Sequence, residues 1–263
     1  MTLHALRRDL LHHLAKTPFL YSWVLKTTGR GSVEKRHYLR LIRRGDVVFD
    51  VGANLGTFTL LFSDLVGLHG SVHSFEPVPP TLALLNEAIR LDGRYRNIFV
   101  NAVACSEAPG TTEIIVPGGD YGQASLRAHS SGSWATSANV VRFSVSTIRL
   151  DDYAAERHLN QLDFIKCDAE GAELFVLKGA TGLLKEFEPL LHLEVGEGWT
   201  RDFGYGPSDL VDFLEKVGYS YFLIEEEPAR LEDLRGLLKK GACAGSVNLL
   251  CACPSHADRL RGL

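Results

Sequence analysis

The chain has 263 residues, of which 45% are hydrophobic and 23% charged, so it can bury a full core as one large α/β domain. This composition argues against a disordered chain. No apolar run approaches a bilayer span, and the N-terminus lacks a continuous signal-peptide core. The odd set of cysteines lacks paired metal-ligand spacing and predicts reduced thiols in a cytoplasmic protein: Cys105, Cys167, Cys243, Cys251 and Cys253.

The net charge of −4 conceals a basic first segment. Residues 1–45 contain ten Lys or Arg and only two acids, whereas the rest of the chain is acidic overall. Leucines recur at helical spacing over residues 3–14, and a second apolar stripe precedes Gly45. We predict a basic helical N-terminal appendage over 1–45 and a main domain over 46–263. The appendage is either a packing arm or lid with a solvated basic face, or a contact for an anionic carrier or membrane surface. Nucleic acid is disfavoured because the main domain is acidic.

A buried strand, a glycine turn and the start of a helix are predicted from VVFDVGANLGTFTLLF, residues 47–62. Gly52 and Gly56 let the turn approach a ligand because they lack a Cβ atom. The helix that begins near Asn54 offers unpaired N–H groups, which suits a dinucleotide or S-adenosylmethionine (AdoMet). A dinucleotide fingerprint needs a third glycine, which does not follow here. The acid that ends the strand, Asp50, suits an ammonium rather than a phosphate.

A second apolar-rich stretch, Ser71 to Phe75, ends in Glu76. This acid lies where a carboxylate on the second strand can accept hydrogen bonds from both ribose hydroxyls. Together with Asp50, it makes AdoMet the predicted cofactor. Residues 77–92 predict a helix with prolines near its start, and residues 97–103 predict the third strand.

A long polar segment, residues 117–139, separates predicted strands over 111–116 and 140–148. It is rich in Gly and Ser, and a loop of this length in a compact domain is usually functional or disordered. We predict that it forms an acceptor-binding lid, with Tyr121 and Trp134 as stacking surfaces for a sugar.

The strand predicted over residues 162–167 delivers Asp168 and Glu170 to its carboxyl end, where ligands bind in open α/β sheets. Methyl transfer to an alcohol requires removal of the hydroxyl proton. A carboxylate can act as the base or bind a divalent cation such as Mg²⁺ that polarises the hydroxyl. Asp168 is the first candidate and Glu170 the second, although Glu170 can instead cap the next helix. Lys166 shares the strand face of Asp168 and can pair with it, and Glu173 reads as a solvated helix residue.

The strand predicted over residues 190–195 brings Glu194 to the same edge of the sheet, with His192 on the same strand face. Glu194 is a candidate second carboxylate, and with Asp168 a candidate metal ligand. His192 is either an alternative base or a hydrogen-bonded core histidine. Residues 197–205 read as a loop that borders the substrate.

Five segments, in chain order, resemble the FkbM-type family of AdoMet-dependent methyltransferases: DVVFDVGANLGTFTLLFS, HSFEP, NAVACSE, LDFIKCDAEGAELFVLKGA and PLLHLEV. The similarity covers about Gly45 to Val195. It implies a class I methyltransferase (Rossmann-like) α/β fold, with a seven-stranded, mostly parallel sheet and helices on both faces. Its last strand, residues 246–251, should run antiparallel beside residues 219–224. The resemblance also places three residues where such enzymes bracket the adenine ring: Asn101, Ala102 and Val103.

Members of that family typically methylate hydroxyl groups, often on sugars or sugar-containing natural products. The predicted function is therefore AdoMet-dependent O-methylation of a small-molecule acceptor, a glycosidic or polyol hydroxyl. Two alternatives stay open: methylation of a nitrogen or carboxylate on another small molecule or a protein, and a non-catalytic AdoMet- or nucleotide-binding module. The predicted edge with Asp168 and Glu194 argues against the second alternative.

Overall fold

The computed structural model describes residues 33–92, 97–118, 120–129, 134, 139–224, 227–229, 234, 236 and 246–260. The leucine-rich helix predicted near the N-terminus lies outside these residues. The strands are β1 (Val47–Val51), β2 (Ser71–Phe75), β3 (Ile98–Asn101), β4 (Ala104–Cys105), β5 (Gly110–Pro117), β6 (Val140–Ile148), β7 (Phe164–Cys167), β8 (Leu190–Gly196), β9 (Tyr221–Ile224), β10 (Glu227–Ala229) and β11 (Ser246–Ala252). The α-helices are α1 (Val33–Leu41), α2 (Thr57–Val66), α3 (Pro79–Asp92), α4 (Leu150–Glu156), α5 (Glu173–Lys178), α6 (Thr181–Phe187), α7 (Glu197–Asp202), α8 (Pro207–Lys216) and α9 (Ala257–Leu260).

The main sheet has the strand order β10-β9-β11-β8-β7-β1-β2-β3. Strands β3, β2, β1, β7 and β8 pair in parallel, whereas β11 runs antiparallel to both β8 and β9. This arrangement is the class I methyltransferase fold, so the predicted fold is confirmed. The short strand β10 was not predicted and extends the sheet by antiparallel pairing with β9.

The chain reverses its direction of travel across the main sheet between β1 and β7. From β1 it continues to β2 and β3 on one side, and β7 then returns to the other side of β1. Val51 is in register with Cys167, so the residues that follow them, Gly52 and Asp168, meet at the carboxyl edge. Such a switch point is where open α/β sheets bind ligands.

Helix α1, the described part of the predicted appendage, packs directly on the core of the domain. Tyr38 is fully buried, and its ring lies edge-on to Phe62 at 4.8 Å and to Phe164 at 5.8 Å between centroids. The predicted second helix is therefore present and contributes to the core. The division of the chain at residue 45 stays a prediction, because residues 1–32 lie outside the description.

A second, separate sheet of three strands has the order β4-β6-β5. Strands β5 and β6 pair antiparallel from Gly110 with Thr147 to Pro117 with Val140. After β5 the chain forms a 3₁₀ turn over Tyr121–Gln123 and returns to bridge Ile115 through Ser125.

Two predictions made from composition, on membrane spans and on cysteines, can be compared with the structure. Among the residues described, no helix is both long and apolar enough to cross a bilayer. The cysteines in the described ranges are buried and form no disulfide: Cys105, Cys167, Cys251 and Cys253.

Candidate active site

The turn after β1 requires glycine at two positions. Gly52 has φ 75°, and a Cβ atom there would lie 1.8 Å from the backbone oxygen of Asp168. Its N–H donates to the Phe75 carbonyl at 3.1 Å, which joins the ends of β1 and β2. Gly56 caps helix α2 with φ 84°, and a Cβ atom there would lie 2.3 Å from Leu85 Cδ1. A larger residue at position 52 would push the ends of β1 and β7 apart, and one at position 56 would be strained by the positive φ and would displace the Leu85 side chain.

Glu76 is held rigidly beside this turn. Its Oε2 accepts the Asn54 N–H and its Oε1 accepts the Val78 N–H, both at 2.8 Å. Burial raises the pKa of Glu76 to about 7, although the two N–H groups oppose the rise. A buried carboxylate fixed in this way is an oriented acceptor for hydroxyl groups.

A cavity opens between the carboxyl ends of β1, β2 and β7 and the second sheet. Its polar wall contains the turn after β1, Glu76 and the turn after β7. Its apolar wall contains Val78, Ile114 and Leu126. Six of the predicted site residues line it: Gly52, Asn54, Glu76, Val103, Asp168 and Glu170.

Asp50 lies deeper than Glu76, the other acid of the predicted cofactor site. Its carboxylate is fully buried, and Oδ2 accepts a hydrogen bond from Thr59 Oγ1 at 2.6 Å. Burial raises its pKa, and the side chain does not line the cavity. Because side chains alternate along a strand, Asp50 lies beneath the turn, and its predicted direct contact with an ammonium stays a prediction.

Three other predicted cofactor residues also lie off the cavity wall. Gly56 contacts Leu85 within the scaffold. The Asn101 amide donates to the Ser74 carbonyl at 3.1 Å and to the Tyr153 hydroxyl at 3.2 Å, so it ties strands together. Of the predicted adenine bracket Asn101, Ala102 and Val103, only Val103 lines the cavity.

Asp168 is paired with a buried lysine. Lys166 Nζ donates to Asp168 Oδ2 at 3.1 Å and lies 3.9 Å from Asp50 Oδ1. Burial alone would lower the pKa of Lys166, but the carboxylates of Asp168 and Asp50 outweigh it and raise the pKa. The predicted pairing is therefore present. The Asp168 side chain keeps 30% of its surface exposed and lines the cavity.

Glu194 neighbours Asp168 as predicted, although it does not line the cavity. Cys167 pairs with Leu193, which places the next residues, Asp168 and Glu194, side by side. Burial, followed by the charge of Asp168, raises the pKa of Glu194 to about 7. Ser246 Oγ donates to Glu194 Oε1 at 2.5 Å.

The donor set does not fit the predicted divalent cation at Asp168 and Glu194. Mg²⁺ prefers six oxygen ligands in octahedral geometry, but no group of three or more His, Cys, Asp or Glu converges anywhere in the part of the chain that the structure describes. Lys166 already places a positive charge on Asp168. Asp168 therefore has its counter-charge in Lys166 rather than in a metal ion.

The turn after β7 assigns Glu170 and Glu173 roles other than those predicted. Glu170 adopts a left-handed conformation, φ 49°. Burial, followed by the charge of Asp168, raises the pKa of its carboxyl to about 9, which favours the protonated form near neutral pH and makes Asp168 the better placed base. Glu173, predicted to be solvated, is 1% exposed and accepts the N–H groups of Ala169 at 2.9 Å and Gly171 at 3.2 Å. Glu173, rather than Glu170, satisfies the backbone before helix α5.

His192 is a core histidine, which was one of its two predicted roles. Its Nδ1 lies 2.8 Å from the Tyr38 hydroxyl, and the residue is 3% exposed. Burial, followed by the charge of Lys166, lowers its pKa to about 3. His192 does not line the cavity, which favours the core role over that of an alternative base.

The structure describes two aromatic residues of the predicted lid, and the lid itself stays a prediction. Tyr121 lines the cavity and is 37% exposed. Trp134 is buried with its ring edge-on to His129 at 5.4 Å, so it offers no free face for a sugar. Residues 197–202, predicted as loop, form helix α7.

Sequence reasoning missed a hydrogen-bonded chain at the cavity wall. Ser125 lines the cavity, and its Oγ lies 3.0 Å from His129 Nε2. His129 Nδ1 lies 2.9 Å from Asp202 Oδ2, a partner 73 residues further along the chain. That separation left no local signal from which the chain could be predicted.

A family model described as the methyltransferase FkbM domain matches residues 50–221, which is more than half of the sequence. The chain belongs to the FkbM methyltransferase family. A curated relative of this FkbM-family chain is the 31-O-demethyl-FK506 methyltransferase FkbM of Streptomyces tacrolimicus, 32% identical over 169 residues. The match covers 55% of this chain and 62% of that relative, so the chain spans less than two thirds of the relative's length.

Solved structures similar to the FkbM-family chain are more distant. The FkbM methyltransferase of Methylobacillus flagellatus has 18% identity and a TM-score of 0.48, over 78% of this chain and 43% of that one. Fibrillarin of Aeropyrum pernix with bound AdoMet has 14% identity and a TM-score of 0.43, over 81% and 68% of the two chains. The fold assignment rests on the strand order and directions given above.

Proposed function

We propose that the chain is an AdoMet-dependent O-methyltransferase that methylates a hydroxyl of a sugar- or polyol-containing small molecule. The observation that carries the proposal is the cavity at the switch point of the sheet. A glycine turn and the fixed carboxylate of Glu76 form one part of its wall, and the Asp168 carboxylate forms another. Membership of the FkbM family supports methyl transfer as the reaction.

The residues of the cavity fit AdoMet. Gly52 leaves no room for a side chain because a Cβ atom would meet the Asp168 backbone, and the bare turn lies open to the cavity. Glu76 has the position and the acceptor oxygens to receive ribose hydroxyls, and Val78 and Val103 provide apolar surface for an adenine ring. When bound, AdoMet supplies a methyl group activated by a positively charged sulfur.

Asp168 is the residue best placed to take the acceptor's proton. It is the cavity-lining carboxylate at the end of β7, and the Lys166 ammonium orients its Oδ2. Glu194 lies beside it at the end of the neighbouring strand. Proton transfer to a positioned carboxylate in the transition state typically contributes about 10²–10⁴-fold to rate.

The acceptor class rests on two observations. The curated relative is named as a methyltransferase of 31-O-demethyl-FK506, and Tyr121 offers an exposed aromatic ring at the cavity for stacking. We place the reaction in the cytoplasm because the described cysteines are free thiols. A contact between the basic residues 1–45 and an anionic carrier or membrane surface belongs to the same proposal, and salt should weaken it.

The test is transfer from methyl-labelled AdoMet across a panel of sugars, glycosides, polyols, amines and carboxylic acids. We expect label on a hydroxyl, with activity unchanged by EDTA or added Mg²⁺. Asp168→Asn should lower turnover by about a hundredfold and leave AdoMet affinity within a few fold, whereas Glu186→Gln, at an exposed acid, should change neither.

Other outcomes of this assay point to specific alternatives. Label found only on amines or carboxylates would contradict O-methylation. AdoMet binding without transfer to any acceptor would favour a binding module. Near-normal turnover of Asp168→Asn would remove Asp168 as the base.

A further inference from the structure

A buried hydrogen-bonded chain joins the loop after β5 to helix α7 and to the turn after β7. His129 has no exposed side-chain surface, and the side chain of Asp202 is 24% exposed. His129 Nδ1 lies 2.9 Å from Asp202 Oδ2, and Nε2 lies 3.0 Å from both Ser125 Oγ and the Glu170 carbonyl oxygen. Ser125 Oγ donates to the same carbonyl at 2.9 Å.

The acceptors in this hydrogen-bonded group indicate which atoms carry the protons. The Asp202 carboxylate can only accept, so Nδ1 of His129 must carry a proton. The Glu170 carbonyl also only accepts, and it already takes the Ser125 hydroxyl proton. Nε2 lies 3.0 Å from that carbonyl, which cannot donate, so Nε2 is the donor in this contact. In this arrangement both ring nitrogens of His129 donate, Nδ1 to Asp202 and Nε2 to the Glu170 carbonyl.

The order Ser125, His129, Asp202 resembles that of a hydrolase triad, but its hydrogen bonds do not activate a nucleophile. An activated serine donates its proton to a neutral imidazole nitrogen. Here the serine proton goes to a backbone carbonyl, and the imidazole nitrogen is a second donor to the same site. The chain is built to hold the Glu170 carbonyl rather than to attack a substrate.

The segment held by this chain is conformationally demanding. Glu170 adopts φ 49°, a left-handed conformation that non-glycine residues rarely occupy. The next residue, Gly171, has φ 99°, and its carbonyl accepts the Tyr205 hydroxyl at 2.9 Å. Strained backbone of this kind persists only when its surroundings hold it in place. The turn follows directly after Asp168, so its shape decides how the acidic side chains meet the cavity.

The surroundings of His129 suit this holding role. The rings of Trp134, Trp199 and Phe203 lie 5.4, 6.1 and 6.2 Å from its ring, which shields it from water. Arg127 lies over the Phe203 ring at 5.7 Å, and Asp202 is the acid that faces the imidazole.

We propose that His129 is a positioning residue: its imidazolium, anchored by Asp202, clamps Ser125 and the Glu170 carbonyl and so orients the turn that presents Asp168 and Glu170 to the acceptor. The consequence for turnover rests on the methyltransferase function proposed above. Loss of the clamp should impair the acceptor side and spare the cofactor turn, whose shape depends on Gly52 and Glu76.

The first measurement needs no acceptor. Nitrogen NMR of uniformly ¹⁵N-labelled full chain, with His129→Gln used to assign the signal, should show both His129 nitrogens protonated at neutral pH. Asp202→Asn should convert the ring to the neutral form and speed hydrogen exchange of the Gly171 amide, while Asp202→Glu restores both. A neutral His129 ring in the wild type would overturn the proposal even if every variant failed to fold.

The second measurement uses the acceptor found by the transfer panel. His129→Gln and Asp202→Asn should lower kcat by about 10–100-fold, the scale of a misplaced reacting group, with S-adenosylhomocysteine affinity within about twofold by calorimetry. His69→Gln, at an exposed histidine, serves as the control and should change neither quantity. An unchanged kcat in both variants would overturn the positioning role. If the panel yields no acceptor, the proposed function fails, and the NMR result still decides whether the clamp exists.

Discussion

The buried carboxyl of Glu173 should make the stability of the domain fall as the pH rises. Glu173 is 1% exposed, accepts two backbone N–H groups through Oε1, and has Oε2 3.3 Å from the Tyr205 hydroxyl. Glu173→Gln keeps the shape and one acceptor oxygen, and its amide can donate to Tyr205 as a protonated carboxyl would. The substitution therefore removes only the ability to ionise.

The size and sign of the effect follow from linkage between protonation and folding. Burial raises the pKa of Glu173 from 4.5 to about 7. Below the lower value the carboxyl is protonated in both states, and between the two values the unfolded chain loses the proton first, so stability falls as the pH rises. Above the folded pKa the loss is complete and amounts to about 3 kcal/mol.

Urea unfolding of the wild type and Glu173→Gln between about pH 5 and pH 8 tests this reasoning. The variant should gain about 2–3 kcal/mol relative to the wild type across that range. Glu186→Gln, which removes an exposed carboxyl, should track the wild type. A difference that stays constant with pH, or one that grows in favour of the wild type, would refute the account of Glu173.

Two substitutions test the scaffold of the site. Gly52→Ala should destabilise the chain by more than about 2 kcal/mol, because a left-handed alanine costs about 1–2 and its Cβ would lie 1.8 Å from the Asp168 oxygen. Gly204 has φ 82° and no atom within 4 Å of an added Cβ, so Gly204→Ala should lose only the stability that the backbone strain costs. Equal losses of stability in the two variants would refute the clash at Gly52. His192→Phe should lower unfolding free energy by about 1–3 kcal/mol, because the buried Tyr38 hydroxyl loses its partner. If His192→Phe instead lost turnover without losing stability, His192 would have a role in the active site.

The sequence predicted correctly which residues meet at the carboxyl ends of the parallel strands. Apolar runs mark β1, β2, β7 and β8, and parallel neighbours end at one edge, so the meeting of Gly52, Glu76 and Asp168 follows from pattern alone. Glu194 joins them for the same reason, because register carries it beside Asp168.

Side-chain direction and distant contacts could not be predicted in this way. Asp50 is one residue from the cavity-lining Val51, yet alternation turns it to the opposite face. His192 pairs in register with Lys166, two residues before Asp168 at the edge of the sheet. Its protonation state therefore depends on burial, which the sequence pattern does not reveal. Helix α7 has six residues, too few for a periodic signal, and the clamp between His129 and Asp202 forms only when the chain folds.

The most direct test of the central claim is calorimetric titration of the full chain with AdoMet and, separately, with NAD. The account predicts that AdoMet binds and NAD does not. Glu76→Ala should weaken AdoMet by about 1–3 kcal/mol, because buried ribose donors lose a charged acceptor, while Glu87→Ala, at an exposed acid, leaves it unchanged. Tight NAD binding, or AdoMet affinity that does not depend on Glu76, would contradict the assignment of this cavity as the cofactor site.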